Sequence, residues 1–271
     1  MTAGSTVRSG EVDLAVWEVG DPTGRAVIAV HGFPDTHRLW EGVAGRLADR
    51  YRVVSYDVRG AGRSGAPRDR AGYAVERLVD DLVAVLDATV GGEGKAHLLG
   101  HDWGSVLLWE AVLAERLDPR LTGRLASFTS ISGPSLGQFA AFLRSARRPG
   151  RVLAVASQVL RSSYVGIFSL PLLPDVALRA VAGRTGANGL NLYRANQSRL
   201  QSADDRVTTV PVQLVVATRD PFLSPAIWAD ADRWAVHLER VEFAAGHWTP
   251  RTHPGRIAGL VSSFVERSSA G

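Results

Sequence analysis

Gly100-His101-Asp102-Trp103-Gly104 decides how this chain is read. The pentapeptide follows a short apolar run at 96–99 and precedes an apolar stretch at 105–116 whose spacing predicts a helix. Glycines two residues either side of a reactive one mark a sharp strand-to-helix turn that holds a nucleophile at its tip. A side chain at either glycine would collide with neighbouring backbone, and glycine also tolerates unusual dihedrals. The middle residue stands at a helix N-terminus, where the dipole favours negative charge. Here that residue is Asp102.

A carboxylate at the tip selects the reaction class. Serine attacking an acyl carbon leaves an ester that water cleaves, but serine attacking an alkyl carbon would leave an inert ether. A carboxylate attacking an alkyl carbon leaves an ester whose carbonyl is open to water. With an ordinary pKa near ~3.9, it is ionised without a base. Asp102 is therefore read as a nucleophile for displacement at a carbon bonded to oxygen or halogen. Helix capping alone would not call for two flanking glycines.

Around the turn, short β-branched runs alternate with longer helical patterns, predicting a mainly parallel sheet flanked by helices. Val12–Val19 reads as the opening strand, followed by Ala26–Val30, Arg52–Tyr56, 96–99 and Leu125–Ile131. The rhythm stops at about Pro134 and resumes with Val212–Ala217 and Leu238–Phe243, closing on a helix near 257–267. The intervening stretch looks helical throughout. The expected organisation is an α/β core at 1–133 and 206–271, with a helical cap inserted at 134–205. Such a cap would cover the carboxyl edge of the sheet, where open α/β folds place ligands.

Hydrolysis of an alkyl ester needs a base, and His247 in Ala245-Gly246-His247-Trp248 follows the last predicted strand. Asp220, after the preceding strand, is placed to hold its tautomer. The chain order Asp102, Asp220, His247 is nucleophile, acid, histidine. His97, His237 and His253 lack those neighbours and read as structural. The backbone N–H groups of Phe33, in His31-Gly32-Phe33-Pro34, and of Trp103 are candidates for an oxyanion hole.

Composition excludes other classes. The 31 basic residues include a single lysine, Lys95, and are spread along the chain without interleaved aromatics, so the net charge of +4 does not read as a nucleic-acid surface. No run approaches the roughly 18 to 20 apolar residues of a membrane helix, and no export signal is visible at the N-terminus. Cysteine is absent, which removes disulfides and thiolate metal sites and fits the cytoplasm. No metal ion is expected, and no cofactor.

The motifs His31-Gly32-Phe33-Pro34-Asp35, Asp57-Val58-Arg59-Gly60-Ala61-Gly62-Arg63-Ser64, Gly100-His101-Asp102-Trp103-Gly104, Asp220 and Gly246-His247-Trp248 resemble those of epoxide hydrolases in the α/β-hydrolase superfamily. The resemblance spans nearly the whole chain. It implies the α/β-hydrolase fold and conversion of an epoxide and water to a vicinal diol through an ester on Asp102. It also implies two cap tyrosines that assist the departing alkoxide. Tyr164 lies in a segment like the family's Tyr-x-x-x-Phe-x-x-Pro, with Phe168 and Pro171. Tyr193 lies in a segment like the second, although Leu192 replaces a tryptophan often found there.

Haloalkane dehalogenases share the aspartate turn and are the alternative, along with other capped hydrolases. Phe33 stands where the dehalogenases tend to show Asn or Glu. Phe33, Trp103, Phe168 and Trp248 are the expected substrate-binding residues. The apolar residues Leu160, Val165, Ile167, Phe168, Leu170, Leu172 and Leu173 suggest a hydrophobic epoxide as the small-molecule partner. A homodimer is the expected assembly, and relatives also occur fused to a reductase-like domain.

Overall fold

The computed structural model describes residues 4–201 and 206–269. Eight strands form one sheet: β1 Ser5–Ser9, β2 Val12–Val19, β3 Ala26–Val30, β4 Arg52–Tyr56, β5 Ala96–His101, β6 Leu125–Ile131, β7 Val212–Ala217 and β8 Leu238–Phe243. Their order is β1-β2-β4-β3-β5-β6-β7-β8. β1 and β2 pair antiparallel to their neighbours, and every pairing from β4 to β8 is parallel. β3 and β7 are buried along their whole length, as strands covered on both faces must be, and so read as apolar runs, broken in β7 only by Gln213.

The helices of the core are α1 Glu41–Leu47, α2 Val75–Val90 and α3 Trp103–Ala114, with α8 Thr249–Thr252 and α9 Pro254–Ser269 near the C-terminus. α2 and α3 pack one face of the sheet through Leu78, Leu82, Leu86 and Leu107. α1 and α9 pack the other through Val43, Leu47, Ile257 and Val261. Between β6 and β7 run α4 Leu136–Arg144, α5 Val152–Arg161, α6 Ser163–Phe168 and α7 Leu173–Asn196. Ser135 opens α4 with a capping box, accepting from Gln138 N while the Gln138 side chain accepts from Ser135 N. α7 bends at Ala182 and Gly183, where Gly183 takes φ +59°.

The sheet opens one strand earlier than the sequence predicts. β1 is Ser-Thr-Val-Arg-Ser, too polar to show a strand pattern, and it forms by pairing with β2 around Gly10. β5 runs on to His101, and α3 starts at Trp103, so the turn at Asp102 is tighter than the apolar runs indicated. The segment around Ile227 is a 3-10 helix, Pro225–Arg233. The expected cap end at 205 lies outside the described residues, as does Met1-Thr2-Ala3 at the start.

Candidate active site

The site occupies the carboxyl edge of the sheet, at the ends of β3, β5, β7 and β8. Asp102 sits between β5 and α3 with φ +52°, a left-handed conformation that costs a side-chain-bearing residue roughly 1–2 kcal/mol. Its backbone is held from both sides: its N–H donates to the Ile131 carbonyl at 3.1 Å, and its carbonyl accepts from Val106 at 3.0 Å. Gly104 is dictated by space, since a Cβ there would stand 2.1 Å from the Val30 carbonyl oxygen. Phe33 N–H donates to Asp102 Oδ1 at 2.7 Å. A Cβ on Gly32 would lie 2.2 Å from the same oxygen and 2.5 Å from Trp103 N, so the bare backbone there makes room for the carboxylate beside the first N–H of α3.

His247 and Asp220 meet this carboxylate from the far strands. His247 Nδ1 donates to Asp220 Oδ2 at 2.8 Å, and Nε2 faces Asp102 Oδ2 at 3.6 Å, an ion-pair rather than a hydrogen-bond distance. Asp220 Oδ1 accepts the N–H groups of Phe222 at 2.8 Å and Leu223 at 3.1 Å. Burial alone would push Asp220 up, but the bond and charge of His247 and those two N–H groups hold it below the usual carboxylate range. Burial likewise opposes charge on His247, yet the two flanking carboxylates prevail and its pKa is pushed up to about 10.

Tyr164 on α6 and Tyr193 on α7 approach from the helical segment. Their rings pack edge-on, 6.2 Å between centroids. Tyr193 sits beside the Trp103 ring, 5.1 Å between centroids. Its ring packs edge-on against Phe33, Trp103 and Phe168. Burial first, and then the charge of Asp102, pushes both phenols above their ordinary value, so both remain protonated.

Asp102, Trp103, Tyr164, Tyr193, Phe222 and His247 line one cavity of about 110 Å³, together with Val165 and Leu136. Phe33, Phe168 and Trp248, expected to bind substrate, are not among its lining residues: Phe33 lines a separate small cavity beside Trp103, Phe168 packs edge-on against both tyrosines, and Trp248 packs edge-on against His247 and Phe222. Among the described residues, no group of three or more His, Asp or Glu is placed to hold a metal ion. His97 bonds Ser127 inside the sheet.

Residues 25–164 match the α/β hydrolase fold family. The chain belongs to that family. Over 94% of its length it is 36% identical to "Probable oxidoreductase EphD" of Mycobacterium tuberculosis, of which it covers 48%. The chain thus spans about half the length of that relative. It is 30% identical over 91% of its length to "Epoxide hydrolase 3" of Xenopus tropicalis, covering 73% of it. The solved structure of Epoxide Hydrolase A from Mycobacterium thermoresistibile is similar with a TM-score of 0.73 at 25% identity, covering 97% of this chain and 98% of that one.

Two residues of the site escape a sequence reading. His101 donates through Nε2 to the carbonyl of His247 at 3.0 Å, and burial lowers its pKa to about 4, so it adds no positive charge beside the imidazolium. Phe222 packs edge-on against His247 and Tyr164. The first of these signals lay in the quoted turn itself, next to Asp102; the second was an ordinary aromatic. The apolar residues of the helical segment require a correction. Val165 lines the cavity and Phe168 backs it, but Leu160, Ile167, Leu170, Leu172 and Leu173 are exposed to solvent. Composition gives a helix its apolar residues, but only packing decides which way they face.

Proposed function

We propose that this chain hydrolyses epoxides to vicinal diols through a covalent ester on Asp102. The observation that carries the reading is the pair of protonated phenols, Tyr164 and Tyr193, facing the Asp102 carboxylate across one apolar cavity. The names of the similar epoxide hydrolases support it.

Asp102 attacks a ring carbon while Tyr164 and Tyr193 donate to the ring oxygen, which becomes an alkoxide tethered to the product. Esterification removes the charge of Asp102. That charge raises the pKa of both phenols and of His247, so its loss makes the phenols better donors as the alkoxide forms. It also releases the His247 proton, which balances the one taken up by the alkoxide. Neutral His247, oriented by Asp220, then takes a proton from water as the water attacks the ester carbonyl. The Phe33 and Trp103 N–H groups are positioned for the tetrahedral oxyanion. Collapse returns Asp102 as carboxylate, His247 as imidazolium and the diol as product.

The decisive experiment mixes His247→Gln protein with an aryl epoxide and records its intact mass. An increase equal to the epoxide, mapped to Asp102, is expected, together with diol formation by the wild type. An unmodified variant, with a wild type that does turn the epoxide over, would sink the covalent reading.

A further inference from the structure

The outward face of the helical segment is apolar where a surface facing water is ordinarily polar. Of the thirteen exposed large apolar side chains among the described residues, ten lie between 152 and 181. On α5 they are Val152, Leu153, Val159 and Leu160, two pairs one heptad apart, with Leu153 84% exposed. On α7, ahead of its bend, Leu173, Val176 and Val181 follow the same stripe, 78%, 68% and 85% exposed. A stripe at this spacing buries itself against something. Nothing in the described fold covers it.

The charge beside these stripes indicates what does. Between 144 and 184 the chain has seven arginines and one acidic residue, Asp175, whose carboxylate is already bound by Arg194 at 2.7 and 2.8 Å. Six of the seven arginines are exposed. Arg148 and Arg151 pair with Asp230 at 3.9 and 2.9 Å, yet arginines still outnumber carboxylates along the segment. An apolar face flanked by such an excess of exposed arginines matches an anionic lipid surface, which takes the apolar side chains into its headgroup boundary and pairs the guanidinium groups with phosphates. A second copy fits poorly, because a two-fold axis would set one arginine-rich face against another.

We propose that α5, α6 and the first half of α7 dock this protein onto an anionic bilayer, lying in its interface without crossing it. Among the described residues no helix is long and apolar enough to span a membrane. Docking does not rest on the catalytic reading above, but it bears on substrate supply. Ser162, Tyr164 and Val165 line the cavity while Leu160 and Ile167 face outward, so the same two short helices separate bilayer from site. An apolar substrate dissolved in lipid would have only that layer to pass.

The test is co-sedimentation of the intact protein with vesicles of phosphatidylglycerol and phosphatidylcholine, against vesicles of phosphatidylcholine alone. Association at least tenfold stronger with the anionic vesicles is expected, falling steeply as salt screens the arginines. The triple change Leu153→Gln, Leu173→Gln, Val176→Gln should weaken it tenfold or more while leaving turnover of a water-soluble substrate unchanged. The pair Arg147→Gln, Arg148→Gln should reduce the salt-sensitive share. Equal association with both vesicles, or none with either, overturns the proposal. So does a concentration-dependent dimer that the triple change dissolves, which would assign the face to a second copy, and so does capture of an acidic polypeptide in preference to anionic vesicles.

Discussion

Trp248 donates its indole N–H to the buried carboxylate of Asp35 at 2.8 Å, tying the loop after β8 to the loop after β3. Arg251 donates to the other oxygen of Asp35 at 2.6 Å. His247 is the neighbour of Trp248, so this bridge braces the imidazole against Asp102. Asp35→Ala should cost about 1–3 kcal/mol, the range for stranding a buried polar partner, seen as a lower urea midpoint. The rate constant kcat should fall more than KM rises, and Asp35→Asn, which keeps one acceptor, should fall between. An unchanged midpoint in Asp35→Ala would show that the bridge does not brace the loop.

In the proposed reaction the two phenols serve ring opening and not ester hydrolysis. Tyr164→Phe and Tyr193→Phe should each slow alkylation of Asp102 by roughly 10² to 10⁴-fold, the usual scale of a positioned general acid. The rate of ester breakdown should stay near that of the wild type. Because the two rings are in contact and serve the same ring oxygen, the double change should cost less than the sum of the two single free-energy losses. Single-turnover kinetics with mass detection separates the steps.

The pH dependence of stability has a definite sign. His247 titrates near ~6.5 when unfolded and about 10 when folded, so its ion pairs stabilise fully below pH ~6.5. That contribution is lost as pH rises through about 10. Asp220 is depressed in the fold, so its contribution is present above its ordinary value of 3.8 and is lost as pH falls through its lowered folded value. Urea midpoints should therefore decline between pH 7 and 10. Asp102→Asn removes one of the two anions and should flatten that decline, with the His247 NMR titration moving down.

Asn196 straps the helix that carries Tyr193 to the core. Its buried side chain accepts from Val75 N at 2.9 Å and donates to the Tyr73 carbonyl at 3.0 Å, where α2 begins. Asn196→Ala strands both groups and should cost about 1–3 kcal/mol by thermal or urea unfolding. It should also lower kcat by loosening Tyr193. Asn196→Asp retains the acceptor toward Val75 and should recover part of the loss.

Asp102, the turn around it and the order Asp102, Asp220, His247 were legible in the sequence because local sterics leave few residues that fit a tight strand-to-helix turn. The alternation of buried strands and amphipathic helices was legible for the same kind of reason, since periodicity records which face is buried. Other features depend on residues far apart in the chain. β1 exists only because β2 offers it a ladder, and the bridge from Asp35 to Trp248 spans most of the sequence. The direction of an apolar side chain in the helical segment is likewise set by what it packs against, so Leu160 and Leu173 face outward where composition suggested a pocket. The identity of Asp102 was written in the chain. Its surroundings were decided by the fold: an imidazole held charged by Asp102 and Asp220, and two phenols held protonated by burial and by the charge of Asp102.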